Sequence, residues 1–129
     1  MLSYLTTNDN YTLRFDLQSR STGKWYYAEY STFVVLSEAR NYKLQVAGYS
    51  GNAGKDSMYL HNGHMFTTYD RDNDAAKKTN CAAYHGGGFW YQKCYDCGVN
   101  SGRKANKFVW FGLPGGRALQ KSRLWLQCK

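Results

Sequence analysis

Residues 63–99 limit the possible folds of this chain most, because they are rich in Gly, Asn and Asp and poor in aliphatic side chains. This composition favours turns and loops, and so long an irregular segment within a compact domain is more often functional than idle. The chain has 129 residues, which fits one domain, and its 43% hydrophobic content argues against intrinsic disorder. We therefore expect one folded domain with a long irregular segment.

Alternating apolar and polar residues predict strands on both sides of this segment. The predicted strands are residues 11–17, 24–30, 32–36, 42–46, 108–111 and 123–126. The glycines of residues 48–54 predict a loop, and no stretch predicts a helix longer than about two turns. The pattern indicates a β-rich domain, with a sheet-rich part in residues 1–60 and a loop-rich part in residues 61–129.

The formal net charge of +8 is unevenly distributed. Residues 1–74 carry seven bases and eight acids, a net charge of −1, whereas residues 75–129 carry ten bases and one acid, a net charge of +9. A basic half can contact sulfated glycans or anionic surfaces, or be simply a solvated face. We predict no nucleic-acid partner, because the bases are scattered and form no recognisable binding motif. No apolar run is long enough to predict a membrane span.

Four cysteines lie in the second half of the chain, namely Cys81, Cys94, Cys97 and Cys128. They allow three pairings, and disulfides would place the protein outside the cytosol. A zinc site that adds His85 is a second interpretation, but structural zinc sites usually have two closely spaced pairs and this chain has one. Redox chemistry at the Cys-x-x-Cys motif would require a helix start. Structural disulfides in a secreted protein are therefore the favoured interpretation.

Three acidic residues, Asp70, Asp72 and Asp74, occupy alternate positions and can converge on a hard cation. The segment is not an EF-hand, because Ala75 stands at the sixth loop position instead of Gly and Cys81 at the twelfth instead of Glu. A calcium loop of another type would add backbone carbonyls from the residues that follow. The alternative interpretation is a solvated acidic turn.

Some histidines and tryptophans also invite a functional interpretation. His61 and His64 have the spacing of a metal pair, but the Asn-Gly between them favours a turn, so we predict a structural role. Trp25, Trp110 and Trp125 are predicted to lie in the core rather than to form stacking platforms.

Residues 41–54, 61–74 and 80–94 together resemble the fibrinogen C-terminal domain family, which includes ficolins, tachylectins, tenascins and angiopoietins. Residues 11–17 and 117–126 are similar to an early strand and the closing strand of that family, so the resemblance covers nearly the whole chain. It implies that residues 1–129 form a single β-rich α+β domain. Its central antiparallel sheet would lie beside a long irregular calcium and disulfide loop region.

The resemblance also implies functional residues. Calcium would be bound by the side chains of Asp72 and Asp74 and by the backbone carbonyls of Ala76 and Lys78. A disulfide would join Cys81 to Cys94, and the peptide bond between Lys93 and Cys94 would be cis. The ligand pocket of lectin-type members would fall on Tyr84, His85, Tyr91, Lys93, Cys94 and Tyr95.

The chain departs from the family pattern in several places. Tyr95 stands where a histidine is usual. By this resemblance we expect the segment after Cys94 to be shortened and the N-terminal subdomain to be absent. Cys97 and Cys128 have no usual counterpart, and we expect them to pair with each other and to tie the shortened loop to the C-terminus.

These features predict a secreted, calcium-binding recognition module of lectin type, whose pocket beside the calcium loop takes a glycan or an acetylated ligand. We expect no enzymatic activity, because the chain has only three His and two Glu and no nucleophile motif. One alternative is a structural or adhesive module that binds a protein partner or assembles with itself. Another is a module that binds sulfated or other anionic glycans through its basic second half.

Overall fold

The computed structural model describes residues 2–101 and 107–129. Its elements in chain order are α1 (Leu2–Asn8), β1 (Tyr11–Ser19), β2 (Trp25–Val35), β3 (Leu44–Gly51), α2 (Cys81–His85) and β4 (Leu119–Cys128), with 3₁₀ turns at Glu38–Arg40 and Tyr59–His61. The strands form one antiparallel sheet in the order β3-β2-β1-β4. The expected β-rich fold with a central antiparallel sheet is confirmed.

Strand β1 lies at the centre of the sheet and shows why the sequence pattern was informative. Leu13, Phe15 and Leu17 are at most 3% exposed, and they alternate with partly exposed residues. Successive side chains of a strand point to opposite faces, so this alternation assigns an inner face that packs on the core and an outer face that contacts solvent.

The core lies between the inner face of the sheet and the irregular segment. Phe15 packs against Trp110 with ring centroids 5.3 Å apart, and against Tyr30 at 6.1 Å. In the structure the irregular segment comprises the described residues between β3 and β4, 52–101 and 107–118, and its Met58 and Leu113 are also buried in this cluster. The sheet takes three strands from residues 1–60 and its fourth, β4, from residues 61–129.

Several strand boundaries differ from the predictions, and β4 begins at Leu119 where the predicted strand begins at residue 123. Strand β2 joins the two strands predicted at residues 24–30 and 32–36. Strand β3 continues into the predicted loop at residues 48–54, because Gly48, with φ +74°, lets the chain pass close to the Ser31 side chain without leaving the sheet. Residues 108–111 contribute only isolated bridges and no named strand.

Two of the three tryptophans predicted to be buried are not. Trp110 is 0% exposed, as expected, but Trp25 is 39% exposed and Trp125 is 51% exposed. Both lie on the outer face of the sheet, where Trp125 stands opposite Arg14 and Trp25 opposite Gln18. None of the helices within the described ranges combines the length and the apolar character needed to cross a membrane.

Candidate functional site

The acidic loop, residues 70–80, is organised by the side chain of Asp74. Its Oδ1 accepts a hydrogen bond from the Ala76 amide at 2.9 Å, and its Oδ2 accepts one from the Cys81 amide at 2.8 Å. The Asp74 amide donates to Asp72 Oδ1 at 3.2 Å, so the two carboxylates are neighbours. Burial is the main cause that raises the pKa of Asp74; the like charge of Asp72 adds to it, and the two amide bonds oppose it.

The four predicted calcium ligands lie in this loop. Asp72 and Lys78 are exposed, while Asp74 and Ala76 are half-buried. Among the described residues, no hydrogen bond occupies the carbonyl oxygens of Ala76 and Lys78, and no cluster of three or more His, Cys, Asp or Glu side chains is formed. Two carboxylates and two carbonyls are oxygen ligands of the type that calcium takes, so the donor set fits this cation in chemical type. Calcium binding itself stays a prediction.

The acidic loop is joined to the Cys81–Cys94 disulfide, which the structure contains with its Cα atoms 5.5 Å apart. Cys81 is the first residue of α2, and the Asn80 side chain caps that helix by accepting from the Ala83 amide at 3.0 Å. The Lys93–Cys94 peptide bond is cis, as the family resemblance implies. Helix α2, the disulfide and the acidic loop thus form one connected unit.

Cys97 and Cys128 are not bonded to each other, so the predicted second disulfide is wrong. The Cys97 side chain is fully buried and contacts the Met58 sulfur at 3.4 Å, and burial raises the pKa of its thiol. Cys128 is exposed at the end of β4, opposite Tyr11. The two thiols occupy different environments, one inside the core and one at the end of an outer strand.

His85, the last residue of α2, lies inside a cluster of aromatic rings. Its ring centroid is 4.0 Å from Tyr95, 5.0 Å from Tyr84 and 5.9 Å from Tyr91. The residue is 8% exposed and is therefore not a plain surface histidine. Burial and, to a lesser degree, the nearby Lys107 charge lower the pKa of His85 to about 4. The imidazole is therefore neutral at neutral pH.

The Nδ1 atom of His85 is buried and has no hydrogen-bond partner among the described residues. A buried polar atom without a partner carries a free-energy cost of about 1–3 kcal/mol. This atom stands out because the other buried histidine, His61, has both ring nitrogens engaged.

The three tyrosines of this cluster lie at different depths below the surface. Tyr91 is 1% exposed, and its hydroxyl donates to the Gly87 carbonyl at 2.6 Å, so it forms the floor. Tyr95 is half-buried and packs on Phe111. Tyr84 is 62% exposed and forms the rim, with the Lys107 ammonium 3.7 Å from its ring centroid.

Lys93 is exposed and Cys94 half-buried, both beside the disulfide. The structure thus gathers four of the six predicted pocket residues, Tyr84, His85, Tyr91 and Tyr95, into one ring cluster, while Lys93 and Cys94 directly precede Tyr95 in the chain.

A groove that the sequence did not predict lies between the acidic loop and α2. It has a volume of about 390 Å³ and is lined by Tyr69, Asp70, Ala83 and residues 86–88, among others. Its floor is made of glycine and alanine, so the backbone itself is accessible there. The small residues at 82–88 were the available signal, but their meaning depends on the packing of two loops.

His61 has a structural role, as predicted. It is 0% exposed; its Nδ1 is 2.8 Å from the Trp90 carbonyl oxygen, and its Nε2 accepts from the Asp96 amide at 3.1 Å. A carbonyl can only accept, so the proton lies on Nδ1 and the ring is neutral. Desolvation is the main reason that the pKa of His61 falls to about 4. The side chain thus links the 3₁₀ turn at Tyr59–His61 to Trp90, which precedes Cys94, and to Asp96, which follows it.

Comparison with known families identifies the fold. The profile described as "Fibrinogen beta and gamma chains, C-terminal globular domain" matches residues 1–117. The chain belongs to this family. The disulfide unit and the acidic loop both fall inside the matched range.

Similar proteins include mouse tenascin, 44% identical over 118 residues that cover 86% of this chain and 5% of that protein. Human angiopoietin-related protein 1 is 49% identical over 87 residues, covering 67% of this chain and 17% of that protein. Techylectin-5A of Tachypleus tridentatus is 41% identical over 96 residues, covering 74% of this chain and 32% of that protein. The chain therefore spans at most about a third of the length of these curated relatives.

Solved structures give the same result. The fibrinogen-like globe domain of human ANGPTL2 superposes with a TM-score of 0.85 at 34% identity, over 98% of this chain and 62% of that chain. A lamprey fibrin D-dimer complexed with the peptide Gly-His-Arg-Pro-amide has a TM-score of 0.83 at 24% identity, over 97% of this chain and 47% of that chain. This similarity supports the fold alone. The family is one of recognition and structural proteins, so a recognition or adhesion role follows in general terms.

Proposed function

We propose that this domain recognises glycans or acetylated groups at the aromatic cluster around His85. The observation that carries the proposal is the Nδ1 atom of His85, which is buried and has no hydrogen-bond partner among the described residues. The residue as a whole is 8% exposed. A ligand hydroxyl, amide or carbonyl bound there would supply the missing hydrogen bond, because a neutral imidazole nitrogen either donates or accepts according to its tautomer. The similarity to techylectin-5A, a lectin by name, supports this choice of ligand class.

The surroundings of His85 suit a ligand that is partly apolar. Tyr84 and Tyr95 offer ring surface at the rim, and a small number of polar atoms among aromatic walls is the usual composition of a ligand pocket. An N-acetyl group has this character, because its methyl packs on rings while its carbonyl oxygen and amide N–H form hydrogen bonds. The family resemblance supports the same ligand type.

Calcium would support the pocket from outside. In this proposal Asp72 and Asp74 hold the cation with the carbonyls of Ala76 and Lys78, and its charge offsets the repulsion between the two carboxylates. Asp74 also accepts from the Cys81 amide at the start of α2, and His85 ends the same helix. An ordered acidic loop would therefore hold the first residue of α2 in place, and with it His85 at the other end of this short helix.

Binding to immobilised N-acetylglucosamine tests the pocket. Replacement His85→Phe keeps an aromatic ring but removes both nitrogens, and we expect affinity to fall by about tenfold or more, the equivalent of one lost buried hydrogen bond. Tyr59→Phe is the matched control, because Tyr59 is 80% exposed and lies outside the pocket. Equal binding by the His85 variant and the original chain would refute this placement of the ligand.

Thermal unfolding with added calcium, then with EDTA, tests the cation. We expect calcium to raise the Tm, because a ligand that binds only the native state stabilises it. The double replacement Asp72→Asn and Asp74→Asn should abolish the shift, whereas Asp9→Asn, a change at an exposed acid outside the loop, should preserve it. A calcium-induced shift that survives the double replacement would disprove the proposed ligands.

An adhesive role with a protein partner is the second candidate, and the 44% identity to tenascin favours it. Extracellular location belongs to both candidates, because tenascin and the angiopoietin-related proteins are extracellular or secreted. Binding of sulfated glycans by the basic second half is a further variant, for which heparin affinity should fall steeply as salt is raised. Light scattering tests the form of this role in which the domain assembles with itself, since a monomer that binds N-acetylglucosamine would contradict self-assembly.

A further inference from the structure

The rim of the pocket around His85 carries a positive charge. The Lys107 ammonium lies 3.7 Å from the ring centroid of Tyr84 and donates a hydrogen bond to the Tyr84 carbonyl. Both of these partners are uncharged, and an ammonium has three donors, so Lys107 can also bind an anion. Its charge reaches the imidazole, because it adds to burial in lowering the pKa of His85. The rim is therefore suited to a negatively charged acceptor.

A second cation lies next to the Tyr95 side of the pocket. The Arg117 guanidinium carbon is 4.8 Å from the ring centroid of Phe111, and that ring packs on Tyr95 with centroids 5.7 Å apart. Burial raises the pKa of Tyr95, and the Arg117 charge opposes this rise, so the charge acts on the phenol. The two cations therefore favour a ligand of the same sign.

The acids nearest to this cluster in the chain have other roles. Asp96 pairs with Lys55 at 3.1 Å. In the proposed function Asp72 and Asp74 hold calcium, whose charge offsets theirs. Within residues 2–101 and 107–129, no ion pair involves either of the two cations of the pocket. A ligand anion would therefore meet little competition from carboxylates of the chain.

We propose that the pocket prefers N-acetylated sugars that also carry a carboxylate, with the carboxylate bound by Lys107 and the acetamido group bound by the ring cluster at His85. This inference rests on the proposed function, because it names the class of ligand for the same pocket. A hydrogen bond between an ammonium and a carboxylate is stronger than one between neutral groups. Arg117 adds attraction at longer range. Both ligand groups are required, which distinguishes this binding from general attraction to anionic surfaces.

N-acetylmuramic acid is the first probe, because it differs from N-acetylglucosamine only by a lactyl ether that ends in a carboxylate. Its carboxamide keeps the shape of that group and removes the charge. In NMR titrations of the original chain, we expect the acid to bind about tenfold more tightly than the carboxamide. The preference should shrink as salt is raised. N-acetylneuraminic acid and its methyl ester form a second pair, because this sugar carries the same two groups.

The variant Lys107→Gln tests the residue that we assign to the carboxylate. Glutamine can still donate to the Tyr84 carbonyl but has no charge, so the ratio of the affinities for the acid and its neutral derivative should fall to about one. Lys24→Gln removes the same charge at an exposed turn before β2, and should preserve the ratio. A Lys107 variant that keeps the full ratio would refute this assignment. The comparison of acid and neutral derivative on the original chain requires no variant.

N-acetylglucosamine, titrated in parallel, separates failure of this inference from failure of the proposed function. A carboxylate-dependent preference in either pair supports the inference and shows which sugar is the better source of the two groups. If N-acetylglucosamine binds while each acid binds no better than its neutral derivative, the pocket ignores charge and only this inference is overturned. If none of these sugars binds, the proposed function fails and the inference fails with it.

Discussion

The sheet and the irregular segment, residues 52–101 and 107–118, are held together in different ways. In the sheet, burial of regularly spaced apolar side chains such as Leu13 and Phe15 accompanies continuous backbone ladders. In the irregular segment, isolated backbone bridges and single polar side chains replace the continuous ladder. The Asn62 side chain accepts from the Val46 amide at 2.8 Å, and Asn73 donates to the Phe66 carbonyl at 3.0 Å.

This difference predicts two kinds of sensitivity to substitution. In the sheet, the cost of a replacement should follow the apolar volume that is lost, because the backbone pairing remains. In the irregular segment, the cost should follow the number of backbone groups left without a partner. The acidic loop and the pocket both belong to the second kind, so their shape depends on individual atoms of Asp74 and Asn80.

The largest effect is expected in the sheet. Phe15→Ala should lower the free energy of unfolding by about 3–5 kcal/mol, since the ring is 1% exposed and packs on both Trp110 and Tyr30. Tyr59→Ala removes a ring of similar size that is 80% exposed, and should cost less than about 1 kcal/mol. Urea unfolding measures both. Similar losses in the two variants would contradict a core centred on Phe15.

Acid should loosen the irregular segment through His61. Its native pKa is lowered to about 4, so below the ordinary value of 6.5 the unfolded chain takes up a proton that the native ring resists. The stabilisation is complete above pH 6.5 and is lost as pH falls towards 4. Between about pH 7 and about pH 4.5 this residue alone should remove about 2 kcal/mol of stability.

The control is His61→Gln, which cannot titrate. The difference in unfolding free energy between the original chain and this variant should shrink by about 2 kcal/mol over the same interval. Urea unfolding of both proteins, at about pH 7 and at about pH 4.5, gives the four unfolding free energies needed. A difference that does not change with pH would mean that His61 is protonated as easily in the native state as in the unfolded one.

The sheet could be predicted from the sequence to a large extent, because period-two alternation is a local signal. Alternation gave β1 almost to the residue. It could not say which side of the sheet is buried where aromatic residues lie on both faces, and so Trp25 and Trp125 were placed in the core wrongly. The family resemblance, rather than any periodicity, supplied the Cys81–Cys94 pairing.

The candidate site was less predictable, because its contacts join residues distant in sequence and have no period. The expected Cys97–Cys128 bond rested on elimination, whereas pairing depends on where each thiol lies in the fold. The burial of His85 depends on rings from α2 and from the segment after the disulfide. No local pattern reveals such packing.

The smallest effect is expected for a single oxygen in the irregular segment. The buried Thr67 hydroxyl accepts from the Asn73 amide at 2.9 Å, next to the acidic loop. Thr67→Val keeps the shape but leaves that amide unpaired, and should cost about 1–2 kcal/mol in urea unfolding. The same change at the exposed Thr32 of β2 should stay within about 0.5 kcal/mol. If both variants were equally stable, the irregular segment would tolerate the loss of a polar atom as the sheet does. The proposed contrast between the two regions would then fail at Thr67, where the substitution changes the shape of the side chain least.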